Sequence, residues 1–184
     1  MIYSKITKSD LFIETQGLQL RPFELSDIIP AYEMNLDAQV SQFTGDGGVV
    51  SKEEIERRIS EDVLGDYKKY GFGRLALEWK EHKKFIGFTG LKYLGDTSEV
   101  DLGYRLLREY WGRGIATEAG RACLELGFLK LELEKIIAMT LPGNLKSENV
   151  LQKLGMQFIE HRMEDDEKVK VFGIEKESYL KREN

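Results

Sequence analysis

The stretch Arg-Glu-Tyr-Trp-Gly-Arg-Gly-Ile-Ala-Thr-Glu-Ala, residues 108–119, decides the fold because it joins a strand-like run, Val100 to Leu107, to a helix-like run that ends near Lys130. Gly112 and Gly114 remove two Cβ atoms where the helix begins and where its first N–H groups lack partners. Four arginines and two glutamates lie between residues 105 and 121, although the chain carries a net charge of -5. Helix starts attract anions. The pattern therefore predicts a phosphate-binding turn.

Length and composition predict one domain. The chain has 184 residues, 41% of them hydrophobic, and neither a Gly/Ser-rich segment nor a block of one charge sign separates its halves. We expect a single domain over residues 1–184, with its core at about 18–174. The 32 acidic side chains outnumber the 27 basic ones, whereas broad binding to nucleic acids or anionic membranes needs clustered Lys and Arg. Neither is an expected partner.

Few residues of the chain suit disulfide or zinc chemistry. Cys123 is the only cysteine, which excludes an intrachain disulfide, and His82 and His161 are the only histidines. We therefore expect no metal. The first ten residues lack the apolar core of a signal peptide, and no stretch approaches 18 apolar residues. A cytoplasmic location is the expectation.

Hydrophobic periodicity predicts an α/β (α+β) fold with a mixed, mostly antiparallel sheet of about seven strands and about four helices. In the first helix, the spacing of Ile29, Tyr32 and Leu36 predicts the buried face. The predicted strands lie near residues 18–20, 73–79, 85–94, 99–107, 136–139, 157–163 and 169–174, and the helices near 27–36, 52–70, 115–130 and 144–154.

The fourth predicted strand and the last predicted helix carry candidate polar groups. Along Glu99 to Leu107, side chains alternate between faces, so Glu99 and Asp101 share one side of the strand. Asn144 stands at the start of the last helix, where an asparagine commonly caps the first free N–H groups. These positions indicate a function only in combination with the turn that contains Gly112 and Gly114, here called the glycine turn.

The segments 110–119, Asn144-Leu145-Lys146-Ser147 and Lys153-Leu154-Gly155 together resemble the GNAT superfamily of acyl-CoA-dependent N-acetyltransferases. Within it they are most similar to the ribosomal-protein N-terminal acetyltransferase-like (Rim-type) branch, as are residues 19–23 and 85–88. The resemblance covers roughly Leu18 to Gly173. It implies a GNAT-like fold, acetyl-CoA as co-substrate, and direct attack of a primary amine on the thioester.

The resemblance implies that CoA binds the glycine turn and a gap in the sheet. The superfamily motif is Q/R-x-x-G-x-G/A; Gly114 and Ala116 match its last two fixed positions, whereas Trp111 stands where Gln or Arg is expected. The pyrophosphate would be held mainly by backbone N–H groups, and the pantetheine arm would lie between residues 101–107 and 136–141. The expected cofactor-binding residues are Leu106, Leu107, Trp111, Gly112, Arg113, Gly114, Ile115, Ala116, Thr117, Asn144 and Ser147.

Acetyl transfer needs a neutral amine and a proton for the leaving thiolate. Rim-type enzymes often carry a carboxylate at the position of Asp101, which is the first candidate for the base, followed by Glu99; a water relay is the third route. Both residues could instead be ordinary solvated strand residues. Many family members use a tyrosine seven residues after the asparagine as the acid, but that position is Leu151 here. Rim-type relatives have a serine that Ser147 matches, and Ser147 is the candidate acid.

Two functional readings remain open from the sequence. The first is an N-acetyltransferase acting on a protein N-terminal α-amine or a small amine, as a monomer or a homodimer. The second is a catalytically silent acyl-CoA-binding or sensor domain, because the usual tyrosine is absent. The acceptor is expected to face the first two helices and the loop from Phe43 to Val50, where Asp46 and the acidic run Glu53, Glu54 and Glu56 could attract cations.

Overall fold

All strands of the described residues lie in one sheet. The computed structural model describes residues 6–44, 48–164 and 166–183. Within these residues eight strands follow the spatial order β1-β2-β3-β4-β5-β6-β8-β7. The strands are β1 Ile13–Glu14, β2 Leu18–Pro22, β3 Arg74–Trp79, β4 Lys84–Leu94, β5 Glu99–Leu106, β6 Lys135–Thr140, β7 Gln157–Glu164 and β8 Glu167–Glu175.

Helices flank this sheet in the part of the chain that is described. The α-helical segments are α1 Ile28–Asn35, α2 Ala38–Ser41, α3 Lys52–Arg57, α4 Leu64–Tyr70, α5 Ile115–Glu125, α6 Leu145–Lys153 and α7 Lys176–Glu183. A π-helical segment, Arg58–Val63, makes α3 and α4 one continuous helical stretch, and a second, Leu126–Lys130, extends α5.

The predicted fold class is confirmed, although the element counts differ. The sheet has eight strands rather than seven because Ile13 and Glu14 pair with Leu20 and Gln19 and form β1. With only two residues, β1 is too short to show an alternating pattern in the sequence. The short helix α2 and the C-terminal helix α7 were not predicted either. A long helix over residues 52–70 is confirmed, and the π-helical segment Arg58–Val63 lies within it.

The predicted buried face of α1 is wrong. Ile29 is 47% exposed and Leu36 is 50% exposed, whereas Ala31 and Met34 are buried. Both sets of residues have helical spacing, so periodicity could not choose between them. The burial is decided by tertiary packing against Phe23 and its neighbours on one face of the sheet.

The two faces of the sheet bury different side chains. In β3, Leu75 and Leu77 belong to the main core, which also contains the buried stripe of α5, while Ala76 faces the smaller cluster beneath α1 and α3. The sheet is antiparallel except between β5 and β6, which pair in parallel. This parallel pair sits at the strand-turn-helix-strand crossover formed by β5, α5 and β6.

Strands β5 and β6 separate almost at once. They share a single register pair, Asp101 with Ile137, although the strands contain eight and six residues. Strand β5 keeps its full pairing to β4, from Glu99 to Leu106, and β6 keeps its full pairing to β8. The sheet is therefore open between β5 and β6 on the side toward the glycine turn, where the resemblance implied a split.

Candidate active site

The glycine turn leads from β5 into α5. After Leu106 the chain makes a 3-10 turn, Arg108–Tyr110, and then enters α5 through Gly112 and Gly114 with φ angles of +74° and +79°. A Cβ on either glycine would meet no atom within 4 Å. Glycine is thus required for the left-handed backbone rather than for space within the protein.

The first N–H groups of α5 are available to an anion. Gly114 is the N-cap and supplies no capping side chain, and the first helical bond runs from Glu118 N to Gly114 O at 2.9 Å. The N–H groups of residues 115–117 precede that bond and have no partner in the helix. The side chain of Ile115 is buried in the core, so this residue can offer a ligand only its backbone. These features fit the phosphate-binding turn.

Trp111 is folded back onto β5. Its indole Nε1 donates a hydrogen bond of 2.9 Å to the carbonyl oxygen of Leu106, and Lys146 Nζ lies 4.5 Å from the centroid of its ring. A Gln or Arg in this position would make neither contact in the same way. Trp111 therefore links the end of β5 to the first turn of α6, across the opening between the strands.

The two leucines at the end of β5 differ in what they can offer a ligand. Leu107 N donates to Ile86 O at 2.9 Å, and Leu107 O accepts from Tyr110 N at 3.0 Å. Because its N–H already has a partner within the protein, Leu107 is a poor backbone donor to a ligand. Backbone groups alternate in direction along a strand, which turns the N–H of Leu106 toward the opening. Leu106 is the better placed of the two.

Asp101 is buried and doubly held at the point where the strands part. Its side chain is 8% exposed and forms an ion pair with Arg74 through Oδ2. Its Oδ1 accepts a hydrogen bond of 3.3 Å from Met139 N, a group that has left the ladder with β5. The alternative that Asp101 is a solvated strand residue is wrong. Its carboxylate connects β5 to β6 at the point where the two strands separate.

Arg74 reaches Asp101 across two glycines. Arg74 pairs with Gly90 on β4, and Gly90 pairs with Gly103 on β5, so the side chain crosses β4 over residues that lack a Cβ. A Cβ on Gly103 would lie 2.5 Å from Arg74 Nη2. The guanidinium also donates to the carbonyl oxygens of Gly90 and Asp101, the latter at 2.9 Å. Glycines inside strands are a sequence signal of close approach, but they do not reveal which side chain approaches.

Glu99 is also ion-paired. Its Oε2 lies 2.6 Å from Nη1 of Arg162 on β7, and this hydrogen bond is the main reason why the pKa of Glu99 is lowered. A carboxylate with a lowered pKa is a weaker proton acceptor. Glu99 is therefore a partly exposed, ion-paired strand residue, and neither candidate base is free.

Asn144 and Ser147 meet at the start of α6. Asn144 is the N-cap, and its Oδ1 accepts a hydrogen bond of 3.1 Å from Ser147 N. Ser147 Oγ lies 2.9 Å from the hydroxyl oxygen of Tyr104 on β5, which also bonds to Ser147 O at 3.2 Å. Burial raises the pKa of Tyr104 to about 12. Leu151, at the position of the usual family tyrosine, is fully buried.

The acceptor side is only partly described. Asp46 lies outside the described residues. Glu53 and Glu56 are exposed, and Glu54 is held by Arg57 and Arg58. The buried Asn35, which the sequence did not single out, accepts from Val50 N at 2.8 Å and donates to Ser41 Oγ at 3.1 Å, and thereby connects α1 to the chain that follows the loop.

Other kinds of site receive no support from the described residues. No group of three or more His, Cys, Asp or Glu side chains among them is arranged to hold a metal ion. None of the helices that could be searched is both long enough and apolar enough to span a membrane. A groove of about 600 Å³ lies beside Gly114 and Thr117, and Arg121 and Lys153 also line it.

The family follows from a match that covers most of the chain. A family model described as an acetyltransferase (GNAT) domain matches residues 18–157, which include the glycine turn and the start of α6. The chain belongs to the GNAT acetyltransferase family. This classes the GNAT protein with the acyltransferases, and the resemblance of its motifs to that superfamily is confirmed.

Individual relatives agree with this assignment. The uncharacterized protein YkkB of Bacillus subtilis (strain 168) is 36% identical over 93 residues, 50% of this chain and 54% of YkkB, so the match spans about half of that relative. The uncharacterized N-acetyltransferase p20 of Bacillus licheniformis is 29% identical over 173 residues, 92% of this chain and 96% of p20.

A solved structure supports the fold. RimL, a ribosomal α-N-protein acetyltransferase determined in complex with coenzyme A, superimposes with a TM-score of 0.75 at 15% sequence identity, covering 89% of this chain and 97% of that one. At this identity the likeness establishes the shared fold alone. The GNAT protein thus shares the fold of this acetyltransferase.

Tyr104 and Arg74 are the residues of the site that sequence reasoning missed. The sequence places Tyr104 on the apolar face of β5, where an aromatic residue could line the substrate cleft but is more often part of the core. Its contact with Ser147 spans 43 positions of the sequence. Only folding brings the two hydroxyl groups together, and no local spacing announces the pair.

Proposed function

We propose that this GNAT protein transfers an acetyl group from acetyl-CoA to a primary amine by direct attack on the thioester, and that it belongs to the Rim-type branch. The observation that carries the proposal is the Ser147 hydroxyl, which stands at the first turn of α6 and is bonded to Tyr104 on β5. It is the side-chain proton donor at the position where Rim-type relatives have a serine.

The glycine turn and the open sheet would hold the co-substrate. The free N–H groups at the start of α5 suit the pyrophosphate, whose charge the helix start favours. The N–H of Leu106 faces the opening between β5 and β6 and suits an amide of the pantetheine arm. Asn144 orders the start of α6 through Ser147 N, so its cofactor role is indirect: it fixes Ser147 beside the thioester.

The contacts of the two carboxylates favour a water relay as the base. Asp101 is paired with Arg74 and Glu99 with Arg162, and neither can accept a proton without weakening its ion pair. Deprotonating an α-amine of pKa about 8 at pH 7 costs about 1.4 kcal/mol, against about 4.6 kcal/mol for a lysine-like amine. A site without a free carboxylate is best suited to an α-amine or another amine of low pKa.

The second candidate, a catalytically silent acyl-CoA sensor, is favoured by one observation. Leu151 occupies the position of the usual catalytic tyrosine and is fully buried, so the common acid of the family has no counterpart there. In this alternative, Ser147 is only a first-turn residue of α6, and acetyl-CoA binds without turnover.

Release of CoA thiol on addition of an amine separates the two candidates. The panel contains α-amino peptides, amino acids and polyamines, and the background is hydrolysis of acetyl-CoA with no amine. We expect amine-dependent release that is fastest with α-amino peptides. Saturable acetyl-CoA binding without release across the panel would establish the sensor.

Substitution of Ser147 by Ala tests the proposed acid. We expect turnover to fall by about a hundredfold or more, the lower end of the range for a single general acid, while the dissociation constant for acetyl-CoA stays the same. The half-buried Ser60, whose hydroxyl bonds to carbonyls of its own helical stretch, gives the matched control Ser60→Ala. Full turnover in Ser147→Ala would remove the hydroxyl from the mechanism.

A further inference from the structure

The hydroxyl of Tyr104 makes two contacts that both involve Ser147. It lies 2.9 Å from Ser147 Oγ and 3.2 Å from Ser147 O. Tyr104 is half-buried on β5, in register with Thr89 of β4, and its side chain packs against the main core. The phenol is therefore fixed by its strand and reaches across the opening of the sheet to one residue of α6.

We propose that Tyr104 is a positioning residue that acts through Ser147 during acetyl transfer. This inference rests on the proposed function and names a group that neither the family motif nor the sequence pattern assigned. A phenol has one proton to donate. Both Ser147 O, which can only accept, and Ser147 Oγ lie within reach of that proton. When it turns to Ser147 Oγ, the serine proton is free to point away from Tyr104, toward a leaving sulfur.

The chemical step balances without any change in Tyr104. The amine nitrogen bonds to the thioester carbon, and the C–S bond breaks with its electron pair on sulfur. Sulfur takes the proton of the Ser147 hydroxyl, the amine proton leaves to water, and water returns a proton to Ser147. Tyr104 keeps its proton and donates a hydrogen bond to Ser147 Oγ while that oxygen carries the developing negative charge.

The environment of Tyr104 suits a donor that does not ionise. Burial is the main cause that raises its pKa to about 12; the hydrogen bond with Ser147 lowers the pKa, and the nearby Asp101 carboxylate raises it. The phenol therefore remains protonated throughout the neutral pH range. A hydrogen bond to a charged oxygen is about twice as strong as one between neutral groups, so the contact gains strength as charge develops on Ser147 Oγ.

The substitution Tyr104→Phe removes one hydroxyl and leaves the ring. We expect kcat to fall by about tenfold or more, the effect of losing one hydrogen bond to a charged oxygen, with the KM and dissociation constant for acetyl-CoA unchanged. Tyr93→Phe is the matched control, because Tyr93 pairs with Val100 at the hairpin end of β4 and packs on Tyr70 at a centroid distance of 4.7 Å. Unchanged far-UV circular dichroism and thermal unfolding would show that both variants fold.

A double-mutant cycle with Ser147→Ala separates positioning from packing. If Tyr104 acts through Ser147, Tyr104→Phe has little further effect on kcat once the serine hydroxyl is gone. A full kcat in Tyr104→Phe, or an equal loss in the two backgrounds, would overturn the inference. Absence of turnover in the wild-type protein would overturn the proposed function and this inference together, whereas normal turnover with an unaffected Tyr104→Phe would overturn this inference alone.

Discussion

Gly114 is the residue on which the glycine turn depends. Its φ of +79° lies in the left-handed region, where a β-branched residue is strained by about 1–3 kcal/mol. Because a Cβ there meets no atom within 4 Å, a larger side chain acts on the backbone alone and not on packing.

The substitution Gly114→Val tests whether the glycine turn binds the phosphates of acetyl-CoA. We expect the turn to change shape, the N–H groups of α5 to lose their common direction, and the dissociation constant for acetyl-CoA to rise at least tenfold in a calorimetric titration. Gly65→Val is the control, because Gly65 has equally open space and no positive φ within α4. Wild-type affinity in a folded Gly114→Val protein would show that the glycine turn is not the phosphate-binding site.

Strands β5 and β6 are the elements between which we propose that the thioester lies. Their single register pair ends at Asp101, whose carboxylate takes the Met139 N–H that a continuous ladder would have paired. Arg74 neutralises that carboxylate from β3 through a path over Gly90 and Gly103. The opening is thus bordered by a carboxylate of β5 that is held by the Arg74 side chain of β3 and the Met139 N–H of β6.

The substitution Asp101→Asn distinguishes a structural carboxylate from a base. Asn retains an oxygen for Met139 N but leaves the Arg74 cation unpaired, and we expect a loss of about 3 kcal/mol in the free energy of unfolding by urea. The double variant Asp101→Asn with Arg74→Met is expected to recover part of that loss. Activity is expected to fall together with acetyl-CoA affinity. If turnover vanished while affinity and stability stayed normal, Asp101 would be the base.

The sequence predicted these elements better than their contacts. The bounds of β5, the glycine turn and the cap of α6 are local patterns, and the split between β5 and β6 followed from the family resemblance. The partners of Asp101 and Glu99 were not predictable, because Arg74 and Arg162 lie 27 and 63 positions away. The buried face of α1 was mispredicted because two of its faces have apolar residues at helical spacing, and tertiary packing decides which of them is buried.

At the scale of the whole molecule, one sheet brings the functional groups together. Strand β5 supplies Tyr104 and Leu106, the following turn supplies free N–H groups, and the chain returns through β6 to place Ser147 opposite Tyr104. The acidic chain concentrates backbone donors at a single helix start, so a polyanionic co-substrate can bind without a wide basic surface. Both the single domain over residues 1–184 and the monomeric or dimeric state stay predictions.

The most direct test of acetyl transfer uses acetyl-CoA labelled in its acetyl group, incubated with the wild-type protein and an α-amino peptide and followed by mass spectrometry. We predict that the label appears on the peptide's α-nitrogen in amounts equal to the thiol released, and that no labelled acetyl group remains on the protein, as direct attack requires. Thiol release without labelled peptide, or a labelled acetyl-protein that passes its acetyl group to the peptide, would contradict the account.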